Sequence, residues 1–282
     1  MSGEGKGSGM RLAIMQGESA VLDTAANLAA VRDAARQAVA GGAGLLITPE
    51  LFPVGYAPRV LRDGLDPALL PGLAEDLAAV AREVGIALLV SLPEVEPADA
   101  QVSGEESPRW FISATLFGPD GTRLSHYRKV HLFGAEEQEV FTPGDQPAAV
   151  VDFQGLRLGT VICYDVEFPE AVRAAALRDV DLLMVPTALG CGYSQVPQRL
   201  IPTRAMENHL YLAYVNHTGV EDGFQLSGGS VVADPFGRTL AEADQNPAVL
   251  LVDIDPEQLA KARSDVPYLS ERRPDLYRSW LS

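Results

Sequence analysis

Residues 156–170 read Leu-Arg-Leu-Gly-Thr-Val-Ile-Cys-Tyr-Asp-Val-Glu-Phe-Pro-Glu. Residues 156–162 have the apolar character of a mostly buried strand, and Pro169 suits the first turn of a helix, where its missing N–H would lack a partner anyway. Cys163 therefore falls in the turn at the carboxyl end of a strand, the edge at which α/β proteins bind ligands. Taken alone, such a cysteine is equally well read as a small buried hydrophobe. The other strand ends decide between these readings.

Upstream, residues 11–15 form a short apolar strand, and residues 24–40 a helix with Leu28, Val31, Ala35 and Val39 on one face, ended by Gly41 and Gly42. A second buried strand, 45–48, delivers Glu50 to the same kind of position as Cys163. An amphipathic helix over 69–84 through Leu73, Leu77, Val80 and Val84, closed by Gly85, and a strand over 86–91 complete a β-α-β-α-β run with helices outside a sheet. Residues 94–108 are polar and acidic, as a surface loop. Strands at 110–117 and 123–127 flank the turn Pro119-Asp-Gly-Thr122. Lys129 follows directly, then an irregular stretch at 134–146.

A second hairpin, 148–153 with 156–162, leads to Cys163. Beyond it come a helix at 170–177, a strand at 181–186, a glycine-bearing loop at 187–193 and a helix around 198–208. Strands at 211–215, 229–233 and 248–254 and a helix at 256–263 follow. Hairpin-paired strands alternating with helices fit a pair of mixed sheets better than one doubly wound parallel sheet.

The 282 residues are 47% hydrophobic and 21% charged, an ordinary globular composition with room for a substantial core and no linker to divide it. Residues 1–9 are glycine-rich, as a flexible tail or expression scar; 10–263 form the main domain; and 264–282 are an aromatic tail expected to pack on the body or on a partner. A formal charge of −16 argues against nucleic acid and anionic membrane as partners. No run of about eighteen apolar residues offers a membrane span. The cysteines, Cys163 and Cys191, form no C-x-x-C pair, so a reducing, cytoplasmic setting fits best.

Glu50, Lys129 and Cys163 each have a plain explanation, as a capping acid, a surface cation and core filling. Together they make a hydrolase: a thiol needs a base, and a tetrahedral oxyanion needs a positive or N–H donor. A histidine-dependent cysteine protease is disfavoured, since none of His126, His131, His209 and His217 lies in a distinctive context, and no H-E-x-x-H or paired spacing points to zinc.

The segments Thr48-Pro-Glu50-Leu-Phe, Tyr127-Arg-Lys129-Val-His-Leu-Phe and Val161-Ile-Cys163-Tyr-Asp-Val-Glu-Phe-Pro-Glu resemble, in order, the three catalytic motifs of the nitrilase superfamily of carbon–nitrogen hydrolases. Phe141-Thr-Pro-Gly-Asp145 and Arg204-Ala-Met-Glu-Asn208 fit as well, and the likeness spans 10–277. It implies a four-layer α-β-β-α sandwich, usually paired into a dimer, with no metal or organic cofactor. It further implies Cys163 as nucleophile forming an acyl thioester, Glu50 as general base, and Lys129 with the Tyr164 backbone N–H as oxyanion donors. A second glutamate is expected after the lysine, among Glu136, Glu137 and Glu139; counting back from Pro143 favours Glu137, whereas counting forward from Lys129 favours Glu136.

True nitrilases typically carry Cys-Trp-Glu at the nucleophile, whereas Cys163-Tyr-Asp165 looks like the amidase branches. Hydrolysis of a small carboxamide is therefore the expected reaction. N-carbamoyl amine or amino acid hydrolysis is the alternative, ahead of a nitrilase or a noncatalytic binding protein of the same fold. The expected substrate-binding residues are Tyr56, Phe133, Tyr164, Phe168, Thr187 and Ala188, with Cys191 near the same wall.

Overall fold

Alternating apolar and polar runs along the chain resolve into two six-stranded sheets. The computed structural model describes residues 9–98 and 107–280. Nearly all of the tail expected over 1–9, the centre of the 94–108 loop, and the last two residues lie outside the described residues.

The first sheet contains Met10–Gln16 (β1), Leu45–Ile47 (β2), Ala87–Glu96 (β3), Arg109–Phe117 (β4), Arg123–Arg128 (β5) and, from near the end of the chain, Ala248–Ile254 (β14), in the order β14-β1-β2-β3-β4-β5. The second contains Ala149–Phe153 (β6), Leu156–Thr160 (β7), Leu182–Pro186 (β8), Tyr211–Val215 (β9), Val231–Ala233 (β12) and Thr239–Glu242 (β13), in the order β13-β12-β9-β8-β7-β6. Each sheet has a parallel centre, β1-β2-β3 or β7-β8-β9, and antiparallel flanks. The central strands are buried almost throughout, as expected of parallel strands covered on both faces.

Helices Thr24–Ala40 (α1) and Leu70–Val84 (α3) pack on each other and cover the first sheet, while Pro169–Ala176 (α5) and Ile201–Asn208 (α6) cover the second. With the sheets face to face this is the expected four-layer sandwich, matched by the solved structures described below. Asp23 caps α1 by accepting from the Ala26 N–H, and Gly85 ends α3 in the left-handed conformation that costs glycine least.

Local pattern misled in several places. The buried face of α1 consists of Asn27, Val31, Ala34, Ala35 and Ala38; Val31 and Ala35 lie on it as expected and Leu28 is half-buried against the core, but Val39 is exposed. Asn27 is satisfied there by the Ala20 N–H and by the Ala20 and Pro53 carbonyls. Two short helices, Pro58–Gly64 (α2) and Gly134–Val140 (α4), were not legible; α4 occupies part of the stretch expected to be irregular. Seven residues are too few to show helical periodicity. A hairpin of Thr218–Glu221 (β10) and Phe224–Ser227 (β11) and the edge strand β13 also went unseen. Before α6 the chain passes through a π-helical turn, Val196–Leu200.

Near the C-terminus, Pro256–Asp265 (α7) is followed by Pro274–Trp280 (α8). Tyr268 stacks on His209 with ring centroids 5.1 Å apart, and Leu269 packs against the core, whereas Trp280 is 69% exposed. Among the described residues no helix is long and apolar enough to cross a membrane.

Candidate active site

Glu50 follows β2, Lys129 follows β5 and Cys163 follows β7, so residues from the carboxyl ends of strands in both sheets meet where the sheets face each other. Lys129 is held from its backbone: its N–H donates to the Ile112 carbonyl at 2.8 Å, and its carbonyl accepts from the Gly144 N–H at 2.7 Å. A Cβ on Gly144 would lie 2.6 Å from the Arg128 carbonyl oxygen, so the Pro-Gly turn after α4 needs glycine for this close approach.

The Lys129 ammonium is fully buried and donates to Glu50 Oε1 at 2.7 Å and to Glu137 Oε1 at 2.8 Å. Of the three glutamates considered, Glu137 alone reaches the lysine; Glu136 and Glu139 turn outward to Arg59 and Arg62. Glu137 also accepts from the Tyr56 hydroxyl at 2.7 Å and, through Oε2, from the Phe133 N–H at 2.7 Å. Tyr56, expected to line a substrate pocket, thus also orients the second carboxylate.

Burial pushes the Glu50 carboxyl up to about 7, with Lys129 opposing and Glu137 adding to the rise. Burial by itself would lower the Lys129 ammonium, but the carboxylates of Glu137 and Glu50 outweigh it and hold it well above its ordinary range. The Cys163 thiol is pushed up by burial and then by Glu50, with Lys129 and the Ala188 N–H working the other way. At rest the sulfur therefore keeps its proton. Oε2 of Glu50 is buried without a hydrogen-bond partner, and the Glu50 side chain interacts directly with the thiol.

Backbone strain marks both ends of this arrangement. Cys163 has φ 48° and Leu51, directly after Glu50, φ 55°, left-handed conformations that cost a non-glycine residue about 1 kcal/mol each. The surroundings fix them. Asp165, fully buried, accepts from the Tyr127 hydroxyl at 2.8 Å, the Ile162 N–H at 3.1 Å and the His131 N–H at 2.8 Å, tying the lysine segment to the cysteine turn. Arg204 on α6 donates to the Val166 and Glu167 carbonyls at 3.2 and 2.8 Å. The Glu50 N–H donates to the Thr187 carbonyl at 3.3 Å, joining the ends of β2 and β8.

A cavity of about 390 Å³ opens above Tyr56 and Phe133 and is closed by the β10–β11 turn, including Glu221 and Phe224. Cys163 is 6% exposed and is not among the residues that line this cavity. Phe133 meets Tyr164 edge-on at 5.3 Å, Tyr164 meets Phe168 at 5.0 Å, and Phe168 stacks on His131 at 3.8 Å, an aromatic wall beside the cysteine turn. Ala188 reaches the sulfur through its N–H, whereas the Thr187 hydroxyl turns back to the Val185 carbonyl at 3.1 Å. Cys191 is exposed and free.

Sequence reasoning missed Phe224, Glu221, His217 and Tyr214. The last is buried on β9 and interacts with Cys163, Glu167, Thr187 and Glu50. An apolar-polar alternation gives no hint that a strand tyrosine faces a reaction site.

The family model described as carbon-nitrogen hydrolase matches residues 11–264. A double mutant of the amidase from Nesterenkonia sp. AN1, solved in complex with acrylamide, is 41% identical with a TM-score of 0.87, covering 98% of this chain and 99% of that one. Another structure of that amidase, 41% identical with a TM-score of 0.86 over 99% and 100% of the two chains, shows the acetamide moiety of fluoroacetamide covalently added at its active-site cysteine. An (R)-stereoselective amidase of Pseudomonas sp. is 34% identical over 89% of this chain and 87% of its own length. The omega-amidase of Homo sapiens is 31% identical over 86% and 87%.

Proposed function

We propose that this chain, which belongs to the carbon–nitrogen hydrolase family and is an amidase of it, hydrolyses a small neutral carboxamide to a carboxylic acid and ammonia through a thioester on Cys163. The observation that carries the reading is the buried Lys129 bridging Glu50 and Glu137 while the second oxygen of Glu50 stays free beside the thiol.

Glu50 Oε2 takes the thiol proton as Sγ attacks the amide carbon. Ionising the thiol ahead of substrate is disfavoured by burial, so proton transfer and attack go together. Lys129 has three N–H donors, two engaged by the carboxylates, which leaves one for the developing oxyanion. With the Tyr164 backbone N–H it forms the oxyanion site. Glu50 returns the proton to the leaving ammonia, accepts one from the water that cleaves the thioester, and passes it to the departing Cys163 sulfur, which restores the thiol and the carboxylate. Glu137, held by Tyr56 and Phe133, keeps the lysine in place.

The small-amide reading draws support from the acrylamide and fluoroacetamide bound by the Nesterenkonia amidase and from an aromatic wall with no free cation among its named residues. Pairing into a homodimer, with the exposed Trp280 near the contact, and a cytoplasmic setting, supported by two free cysteines, complete the proposal. An ammonia-release screen over aliphatic and aromatic amides, N-carbamoyl compounds and nitriles tests it, with Cys163→Ala as the blank. Short neutral amides should turn over fastest, and Cys163→Ala should be inactive. Faster release from N-carbamoyl compounds or nitriles would overturn the substrate class.

A further inference from the structure

The His217 ring lies outside the Glu50, Lys129 and Glu137 cluster, yet it is completely buried and touches the backbone that carries Glu50. Its Nε2 is 2.6 Å from the Glu50 carbonyl oxygen. A carbonyl only accepts, so Nε2 carries a proton. On the opposite side Nδ1 lies 2.8 Å from Oε1 of Glu221, a charge contact without hydrogen-bond alignment. Phe52 stacks against the ring with centroids 5.5 Å apart.

Glu221 is 1% exposed, and besides His217 and the Ser19 side chain it meets two backbone donors: Oε2 accepts from the Tyr56 N–H at 2.5 Å and Oε1 from the Ser19 N–H at 3.3 Å. The pair therefore holds both ends of the loop 50–56. From one end the Glu50 carboxylate reaches Lys129; from the other the Tyr56 hydroxyl reaches Glu137.

Burial alone would push His217 down, but the Glu221 carboxylate outweighs it and holds the imidazole above its ordinary range; the imidazolium in turn pulls Glu221 down against its own burial. The two groups thus form a buried ion pair. Such a pair is a poor source of stability, since apolar residues of the same size serve as well. Its value here is positional. The loop contains Leu51 at φ 55°, a conformation that persists only where its surroundings over-determine it.

We propose that His217 and Glu221 are positioning residues for hydrolysis at Cys163, a charged brace that sets Glu50 against the thiol and Tyr56 against Glu137. This rests on the reading of Glu50 as the base.

Steady-state kinetics on the full chain test it. His217→Phe keeps a ring against Phe52 but loses the donor to Glu50, and kcat should fall about a hundredfold, the scale of a 1 Å misplacement. KM should stay within about threefold, the signature of an effect on the chemical step. His217→Gln, whose amide can donate to the same carbonyl, should recover kcat to within about tenfold of the parent. Glu221→Gln is the independent variant if His217→Phe fails to fold; it leaves the buried imidazole without its carboxylate, so its melting temperature should fall, and its kcat, read well below that temperature, should fall about tenfold. Parental kcat in His217→Phe or in Glu221→Gln overturns the brace, as does a His217→Gln no better than His217→Phe. Glu50→Gln separates the two readings: if it is inactive while the brace variants match the parent, the brace alone fails. If Glu50→Gln retains turnover, the base assignment falls and takes the brace with it.

Discussion

Helix α4 presents three glutamates within its seven residues, and they finish in two opposed environments. Glu137 points inward to Lys129 at 2.8 Å, with both side chains 0% exposed. Glu136 and Glu139 point outward to Arg59 and Arg62 at 2.8 to 2.9 Å, with side chains 36 to 55% exposed. The distances are nearly identical, so what differs is the medium. Outside, water and salt screen the charges and the arginines keep Glu139 simply ionised. Inside, Lys129 must serve two carboxylates at once, and Glu50 is left near the point where it can take or release a proton.

Removing the inner cation should break this contrast most. Lys129→Met is expected to lower kcat about a thousandfold, the upper size for an oxyanion donor. It should also lower stability by about 3 kcal/mol, because a buried ionic group is left without its partner. Stopped assays and urea unfolding check both, and an effect on KM alone would contradict the oxyanion role.

A matched pair of substitutions on α4 sharpens it next. Glu137→Gln should cost about a hundredfold in kcat, since it removes a negative charge from beside the lysine and sets an amide NH2 against the Phe133 N–H, while Glu139→Gln should leave turnover unchanged. Added salt should weaken only the outer network. Equal kinetic effects would erase the distinction between the two faces.

The smallest expected effect is in pH. Glu50 must be ionised to accept the thiol proton, so kcat/KM should fall about tenfold per unit as pH drops below about 7. Stability runs the other way. A carboxyl with a raised folded-state pKa adds stability that is fully present below the ordinary value of 4.5 and is lost as pH rises through about 7. Measured against Glu50→Gln, the parent should therefore gain stability between about pH 8 and about pH 5.5 while losing activity. Parallel unfolding and rate profiles check the opposed trends.

Glu50 and Cys163 were legible because each follows an apolar run, and Lys129 because it follows a hairpin strand marked by the turn at 119–122. Glu137 was not separable from Glu136, because choosing between them requires knowing that α4 is a helix and which way it faces. His217 and Glu221 were invisible for another reason. The hairpin that carries Glu221 is short and largely polar, and the contacts that matter cross from the second half of the chain to Glu50 and Tyr56. Asp165 was read from its place beside the cysteine as a marker of substrate branch; its bonds to Tyr127 and His131 give it a structural duty that no local pattern announces. A pair of mixed sheets followed from hairpins alternating with helices, and the four-layer sandwich from the family resemblance; in α1, whose buried face holds Asn27 and three alanines beside Val31 while Val39 is exposed, apolar size was an incomplete guide.

The pairing of β14 with β1 along its whole length, Met10 against Ile254 through Gln16 against Ala248, carries a consequence for biosynthesis. During translation the first sheet lacks that neighbour until the final strand has left the ribosome. The strands that lead to Glu50, Lys129 and Cys163 have emerged by then, so a nascent chain carries all three residues while the first sheet, which positions Glu50 and Lys129, still has a β1 edge that offers open hydrogen-bonding positions to any passing strand. Ribosome stalling before residue 248 should leave that edge open to chaperones, and release past residue 254 should close it.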